Sequence, residues 1–303
     1  MPPPTAATPP PPRAHDDERV HVDIERPRRD AVADYLLDGH LNTTVDRIFA
    51  DDLLAEHPQL PRLAIAAATW DRRAAAAMLD HGLRHFLILG TGGLPLWGHS
   101  STLTDLHDAG ARIVVIEHDP VTQHVHDHID HRAAAGRAHV LCLPADHHHD
   151  LAATPAVTRL LTAGAPLGIL ATTLLRPAGI HLAAILALLD STPAGSRAAI
   201  TQLLTHGTDD QNHIGASSLA ARFAEAGIPL AVENTLAADQ LLGDITHVTP
   251  DLPVAAALAR DAASPVMRTA LLGRRDPHRS TTVLRGGSDP AVDVDRRKQG
   301  RRP

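Results

Sequence analysis

The stretch HFLILGTGGLP, residues 85–95, decides the fold. Its first five residues are too few for a helix and run directly into a glycine cluster, the pattern of a buried parallel strand feeding a tight turn. Working outward, the pattern recurs as RIVVIEHDP at 112–120, AHVLCLPAD at 138–146, LGILATTLL at 167–175 and SRAAITQLL at 196–204. Helical segments fall between these runs, at Ser101–Ala109, Pro120–Ala135, Thr154–Ala163 and Gly179–Ser191. Strands and helices alternating at this spacing predict an α/β domain built on a doubly wound, mostly parallel sheet with helices on both faces. Ligands of such sheets bind at the carboxyl ends of the strands. Ahead of the sheet, Arg29–Leu37, Thr44–Glu56 and Pro61–His81 read as helices, with Asn42 or Thr43 as N-cap of the second and Gly82 closing the third.

Composition narrows the function classes. Of 303 residues, 44% are hydrophobic and 21% charged, which suits a folded, soluble chain. Aromatic residues make up 2%, too few for the stacking platforms that hold single-stranded nucleic acid. A net charge of −7 gives no electrostatic reason to bind a polyanion, so no nucleic-acid partner is expected. The longest uncharged run, Leu160 to Leu175, is interrupted by Gly164 and Pro166 and is too short to span a membrane. Cys142 is the sole cysteine, so no intramolecular disulfide can form and a cytoplasmic setting fits. Residues 1–26 are polar and proline-rich, and residues 274–303 are rich in Arg, Gly and Asp; both are expected to be disordered tails around a domain at 27–273.

Three positions carry candidate chemistry. Gly90, Thr91 and Gly92 follow the first strand, where glycine lets a ligand approach the backbone closely. Pro95 stands where a dinucleotide fingerprint needs Gly or Ala, so that motif is incomplete. Glu117 ends the second strand 27 positions after Gly90, with Asp119 close by. A carboxylate there can accept both hydroxyls of a ribose, whether of NAD or of an adenosine cofactor. Asp146, after the third strand, is placed to take the exocyclic amine of adenine. A further cluster, His124, His128 and His131 beside Asp127, shares one helical face, with His147, His148 and His149 in the next loop; this reads as a solvated face and no metal site is expected.

FLILGTGGLP, VVIEHDP and the Ala145-Asp146 pair resemble the strand-end motifs of class I S-adenosylmethionine (SAM) methyltransferases. The upstream segments DYLLDGHLNTTVDR and TWDRRAAAAMLDHGLRHF make the chain similar to the actinobacterial S-adenosyl methyltransferase family over roughly Arg26 to Leu204. The resemblance implies a Rossmann-like class I methyltransferase sheet under an N-terminal helical cap, SAM as cofactor, and O- or N-methylation of a small molecule. It carries Tyr35, Gly39 and Asn42 over as the N-terminal motif, Gly90, Thr91 and Gly92 as the glycine turn, Glu117 and Asp119 as the ribose motif and Asp146 as the adenine-side acid, and implies that all of them bind the cofactor. The chain departs from the family at Ile88, where the pattern has Asp, and at Ala67 and Ala68, where it has Asn-Arg; Gly93 is an extra residue in the turn. Those losses at the amino-acid end of SAM imply weak activity, or a catalytically degenerate binding protein, as the alternative. An NAD-dependent oxidoreductase is a further alternative, without a Tyr-x-x-x-Lys pair, since the one lysine is Lys298.

Overall fold

The computed structural model describes residues 23, 25–91, 102–119, 121–122, 138–142, 148–205, 214–234, 246–247 and 266–273. Three helices lead: α1 (Arg29–Leu36), α2 (Thr44–Glu56) and α3 (Leu60–Asp80). There follow β1 (His85–Leu89), α4 (Thr102–Asp108), β2 (Arg112–Glu117) and β3 (Ala138–Cys142). After a short 3-10 turn at His148–Ala153 come α5 (Pro155–Thr162), β4 (Leu167–Ala171), α6 (Leu182–Ser191), β5 (Arg197–Thr205) and α7 (Ile214–Glu225). The described chain closes with β6 (Val232–Asn234), β7 (Thr246–His247) and β8 (Val266–Gly273).

The sheet runs β3-β2-β1-β4-β5-β8-β7, with β6 also paired to β5. Strands β1 to β5 are parallel to one another, as their continuous aliphatic runs predict. Period-two alternation sends Leu87, Leu89, Val114, Ile116 and Ile169 to one face, under α5 and α6. It sends Phe86, Ile88, Ile113, Val115 and Leu170 to the other, under α3 and α4. A third cluster joins α1, α2 and the start of α3 to α7 and to Leu174 and Leu175 beyond β4. The helical cap is therefore seated at the carboxyl end of β4. The chain reverses strand order between β1 and β4, and that switch point is where open α/β sheets bind ligands.

Several expected boundaries shift. The second and fourth strands stop at Glu117 and Ala171 instead of running to residues 120 and 175, and Thr172–Leu175 form the β4 exit. Gly179 to His181 precede α6, whose N-cap is His181, its side chain accepting the Ala184 N–H. Strand β8 pairs antiparallel along the whole of β5's first eight residues and lies beyond residue 260, where the periodic apolar pattern ends. The proposed helix Pro120–Ala135 is described only at Val121 and Thr122, and most of residues 1–26 and all of 274–303 lie outside the described residues. Among the described residues no helix is long and apolar enough to cross a membrane.

Candidate functional site

Gly90 adopts φ +80°, a left-handed backbone that admits glycine and strains other side chains. Its N–H still reaches the Ile116 carbonyl at 2.8 Å, while its own carbonyl accepts from Thr173 Oγ1 at 2.8 Å. The turn is thus stitched to β2 on one side and to the β4 exit on the other. Glu117, fully buried at the end of β2, accepts the Thr91 N–H on Oε1 at 2.7 Å. Burial, and then the carboxylate of Asp30, hold the Glu117 carboxyl well above the usual carboxylate range, against the opposing hydrogen bonds of Thr91.

Asp30 comes from α1 and was not singled out by the sequence. Asp119, 7% exposed, is raised by burial and then by Asp30 and drawn down by Arg28. Arg28 Nη1 lies 2.8 Å from Asp119 Oδ2, and Nη2 lies 3.4 Å from Asp46 Oδ2 on α2. The backbone N–H of Arg28 donates to Asp46 Oδ1 at 2.7 Å. One guanidinium therefore clamps the cap to the end of β2.

The N-terminal motif forms a knot around Asp34. The Leu41 N–H and Asn42 Nδ2 both donate to Asp34 Oδ2, at 2.7 and 2.8 Å, and Asn42 Nδ2 also donates to the Gly39 carbonyl at 2.9 Å. A Cβ on Gly39 would collide with the Asp34 carboxylate, so the turn requires glycine there. Tyr35 donates its hydroxyl to Asp51 on α2 at 2.9 Å. Thr43 caps α2, with a reciprocal box to Asp46. These contacts of Gly39, Asn42 and Tyr35 hold the cap's own turn and helices together.

Between the cap and the sheet lies a pocket lined by Ala33, Leu36, Ala67 and Ala68 on one side and by Thr91 and Thr172–Leu175 on the other. Only about 20 Å³ is free, room for little more than a water. Behind Thr172 sits Asp71 of α3, fully buried, accepting from the hydroxyls of Thr102 and Thr172. Burial raises its carboxyl and those two hydrogen bonds oppose the rise. The signal for it was in the sequence, an acid occupying an i, i+3, i+4 stripe otherwise made of Ala64, Ala67, Ala68, Ala74, Ala75 and Met78. Gly92, Asp146 and the histidine run 124–131 lie outside the described residues, and among those described no group of three or more metal-ligating residues forms.

A parallel sheet in the order 3-2-1-4-5, a glycine turn after its central strand and a buried acid ending the next define a Rossmann-like protein of the class I methyltransferase type. The chain belongs to the S-adenosyl methyltransferase family, whose model matches residues 15–280. It shares its fold with a methyltransferase-assigned protein of Thermobifida fusca, 20% identical over 84% of this chain and 97% of that one, with a TM-score of 0.68. It also shares it with a DUF574 family protein of Streptomyces avermitilis, 18% identical over 84% of this chain and all of that one, with a TM-score of 0.67. No curated protein matches the chain.

SAM is the family's cofactor, and the donor set fits its ribose. A buried carboxylate at a strand end, beside a glycine turn, supplies acceptors for a diol. The residues on the pocket side of the turn are of a different kind. Ala67 and Ala68 present methyl groups, and Ile88 is buried with Trp70, Phe86 and Leu103. Arg72 of α3 faces out to Asp105 at 3.5 Å.

Proposed function

We propose that this chain methylates a small molecule at oxygen or nitrogen, with SAM as methyl donor. The observation that carries the reading is Glu117, buried at the carboxyl end of β2 and oriented by the Thr91 N–H. Glu117 would accept the ribose hydroxyls, and Gly90, Thr91 and Gly92 would let the cofactor lie against the backbone. Asp119 would support that end through Arg28, and Asp146 would take the adenine amine. Tyr35, Gly39 and Asn42 would serve by shaping the cap that excludes water. The cofactor brings an electrophilic methyl on a sulfonium, so the protein's task is to orient a nucleophile and keep the site dry. The acidic surface balance supports a small-molecule acceptor over a nucleic acid, and the lone Cys142 supports a cytoplasmic setting.

The apolar faces of Ala67, Ala68 and Ile88 favour a second reading, a weakly active or degenerate member that holds adenosine better than the amino-acid end of SAM. Calorimetric titration separates the two. Micromolar SAM with far weaker adenosine supports the working enzyme. Adenosine competing as well as SAM, with Ala68→Arg strengthening only SAM, establishes the degenerate one. Absence of binding by SAM, S-adenosylhomocysteine and adenosine would overturn both.

A further inference from the structure

The cap meets the sheet through contacts of two kinds. At the β4 exit the contact is apolar, with Val32, Ala33 and Leu36 of α1 clustered against Leu174 and Leu175. At the end of β2 it is ionic: Arg28, the N-cap residue of α1, puts Nη1 2.8 Å from Asp119 Oδ2.

Arg28 is seated by the N-terminal motif. Its backbone N–H donates to Asp46 Oδ1 at 2.7 Å, and its Nη2 lies 3.4 Å from Asp46 Oδ2 and donates to the Leu41 carbonyl at 3.3 Å. Both seats are themselves fixed. The Leu41 N–H donates to Asp34 Oδ2, which Asn42 Nδ2 also engages, and Asp46 Oδ2 accepts from the Thr43 N–H and hydroxyl, each at 2.7 Å. A planar guanidinium on such a seat is aimed at Asp119 before any ligand arrives.

Asp119 is held as firmly from its own side. Its Oδ1 accepts the Val121 N–H at 2.9 Å, and its Oδ2 accepts the Thr122 hydroxyl at 3.3 Å besides Arg28. Three donors on two oxygens commit this carboxylate to fixing the chain just beyond β2. Two residues earlier stands Glu117, oriented by the Thr91 N–H. The carboxylate of Asp30 opposes both acids, and at Asp119 the charge of Arg28 offsets it.

We infer that the N-terminal motif serves the cofactor indirectly, through Arg28. Arg28 is a positioning residue: seated by Asp46 and the Leu41 carbonyl, it holds the end of β2 by way of Asp119 in the geometry that Glu117 needs for the ribose. Asn42, through Asp34, acts on the ligand only by keeping that seat in place. This rests on the SAM reading above, and it makes cap and cofactor a coupled pair.

The test titrates the full chain with SAM and with adenosine, which carries the ribose without the amino-acid end, at a temperature well below the unfolding midpoint of every variant. Arg28→Met, which keeps the length of the side chain and removes its charge, is expected to weaken both ligands alike by about tenfold, a coupling of about 1.4 kcal/mol. Asn42→Ala, which loosens Asp34 and with it the Leu41 seat, should also weaken both, and should add nothing in the Arg28→Met background. Losses that add in the double variant would show that the motif reaches the ligand by a separate route, and they overturn the proposal. So do wild-type affinities in either single variant with a lowered thermal midpoint, the mark of a merely structural contact, and so does a loss confined to SAM. Should Arg28→Met fail to fold, Arg28→Lys, which reaches one acid instead of bridging two, carries the same cycle. Binding of neither ligand by wild type overturns the methyltransferase reading and this role with it, whereas wild-type binding with additive losses overturns the role alone.

Discussion

Replacing Glu117 sets function against stability in a way that can be measured. The carboxylate is fully buried, accepts the Thr91 N–H, and has Asp30 and Asp119 beside it. Glu117→Gln keeps an oxygen for Thr91 but turns the other oxygen, a ribose acceptor in the proposed function, into a donor and removes the charge. At about 1.5–3 kcal/mol for a hydrogen bond to a charged group, SAM should bind roughly 10- to 150-fold more weakly. The same change should raise the thermal midpoint of the cofactor-free protein at neutral pH. The sign follows from the raised carboxyl: below the ordinary value of 4.5 both folded and unfolded chains hold the proton, and as pH climbs through the higher folded value only the folded state is penalised for ionising. The gain from Gln is therefore absent in acid and grows toward pH 8. Glu117→Ala weakens SAM too, but strands the buried Thr91 N–H, for about 1–3 kcal/mol and roughly 2–4 °C of midpoint per kcal/mol. Calorimetric SAM titration and thermal unfolding at pH 4 and pH 8 check both. Wild-type SAM affinity in Glu117→Gln, or a midpoint that drops at pH 8, would refute the reasoning.

Arg28→Ala should remove the clamp between Asp119 and Asp46, leaving two buried acids without their cation; a loss of about 3 kcal/mol, with faster amide exchange confined to α1 and α2, is the expected outcome. Gly39→Ala should displace the Asp34 carboxylate from Leu41 and Asn42, destabilising the protein by about 2 kcal/mol in denaturant titrations. Asp71→Asn should stabilise the protein above the folded pKa of that carboxyl and have no effect below the ordinary 3.8, which a pH series of unfolding midpoints would reveal. Deleting residues 1–22 and 280–303 should leave the midpoint within a degree or so, since neither stretch has an apolar pattern to bury; a fall of several degrees would show that one of them docks.

The sheet was legible because its first five strands are short aliphatic runs whose sole alternative, a helix, is excluded by length. Strand β8 was not, because Val266–Gly273 earns its place by antiparallel pairing with β5, some seventy residues earlier in the chain, and no local periodicity records that partner. Glu117 stands out as a candidate from its strand-end position and its 27-residue spacing from Gly90. Tyr35, Gly39 and Asn42 were legible as a motif, but pattern does not show that the Asn42 amide ties Asp34 to its own turn.

Asp30, Arg28 and Asp71 went unread for a common physical reason. Each is a charged residue on or beside a helix, where charge ordinarily signals the solvated side, and only the fold brings Arg28 against Asp119, 91 positions away. Once placed, Asp30 and Arg28 act on the acids that end β2, and Asp71 meets the exit of β4. Raised carboxyls of Asp71, Glu117 and Asp119 gather at the carboxyl ends of β1, β2 and β4, while the sheet faces beneath them are aliphatic. Ionised carboxyls held in a dry site oppose folding at neutral pH, and the Arg28 clamp and the threonine hydroxyls offset only part of that. A fold optimised for stability alone would have filled position 71 with another member of its alanine stripe. The acid sits there instead with both oxygens engaged and one of its hydroxyl partners on the pocket wall, at the switch point where open α/β sheets take their ligands.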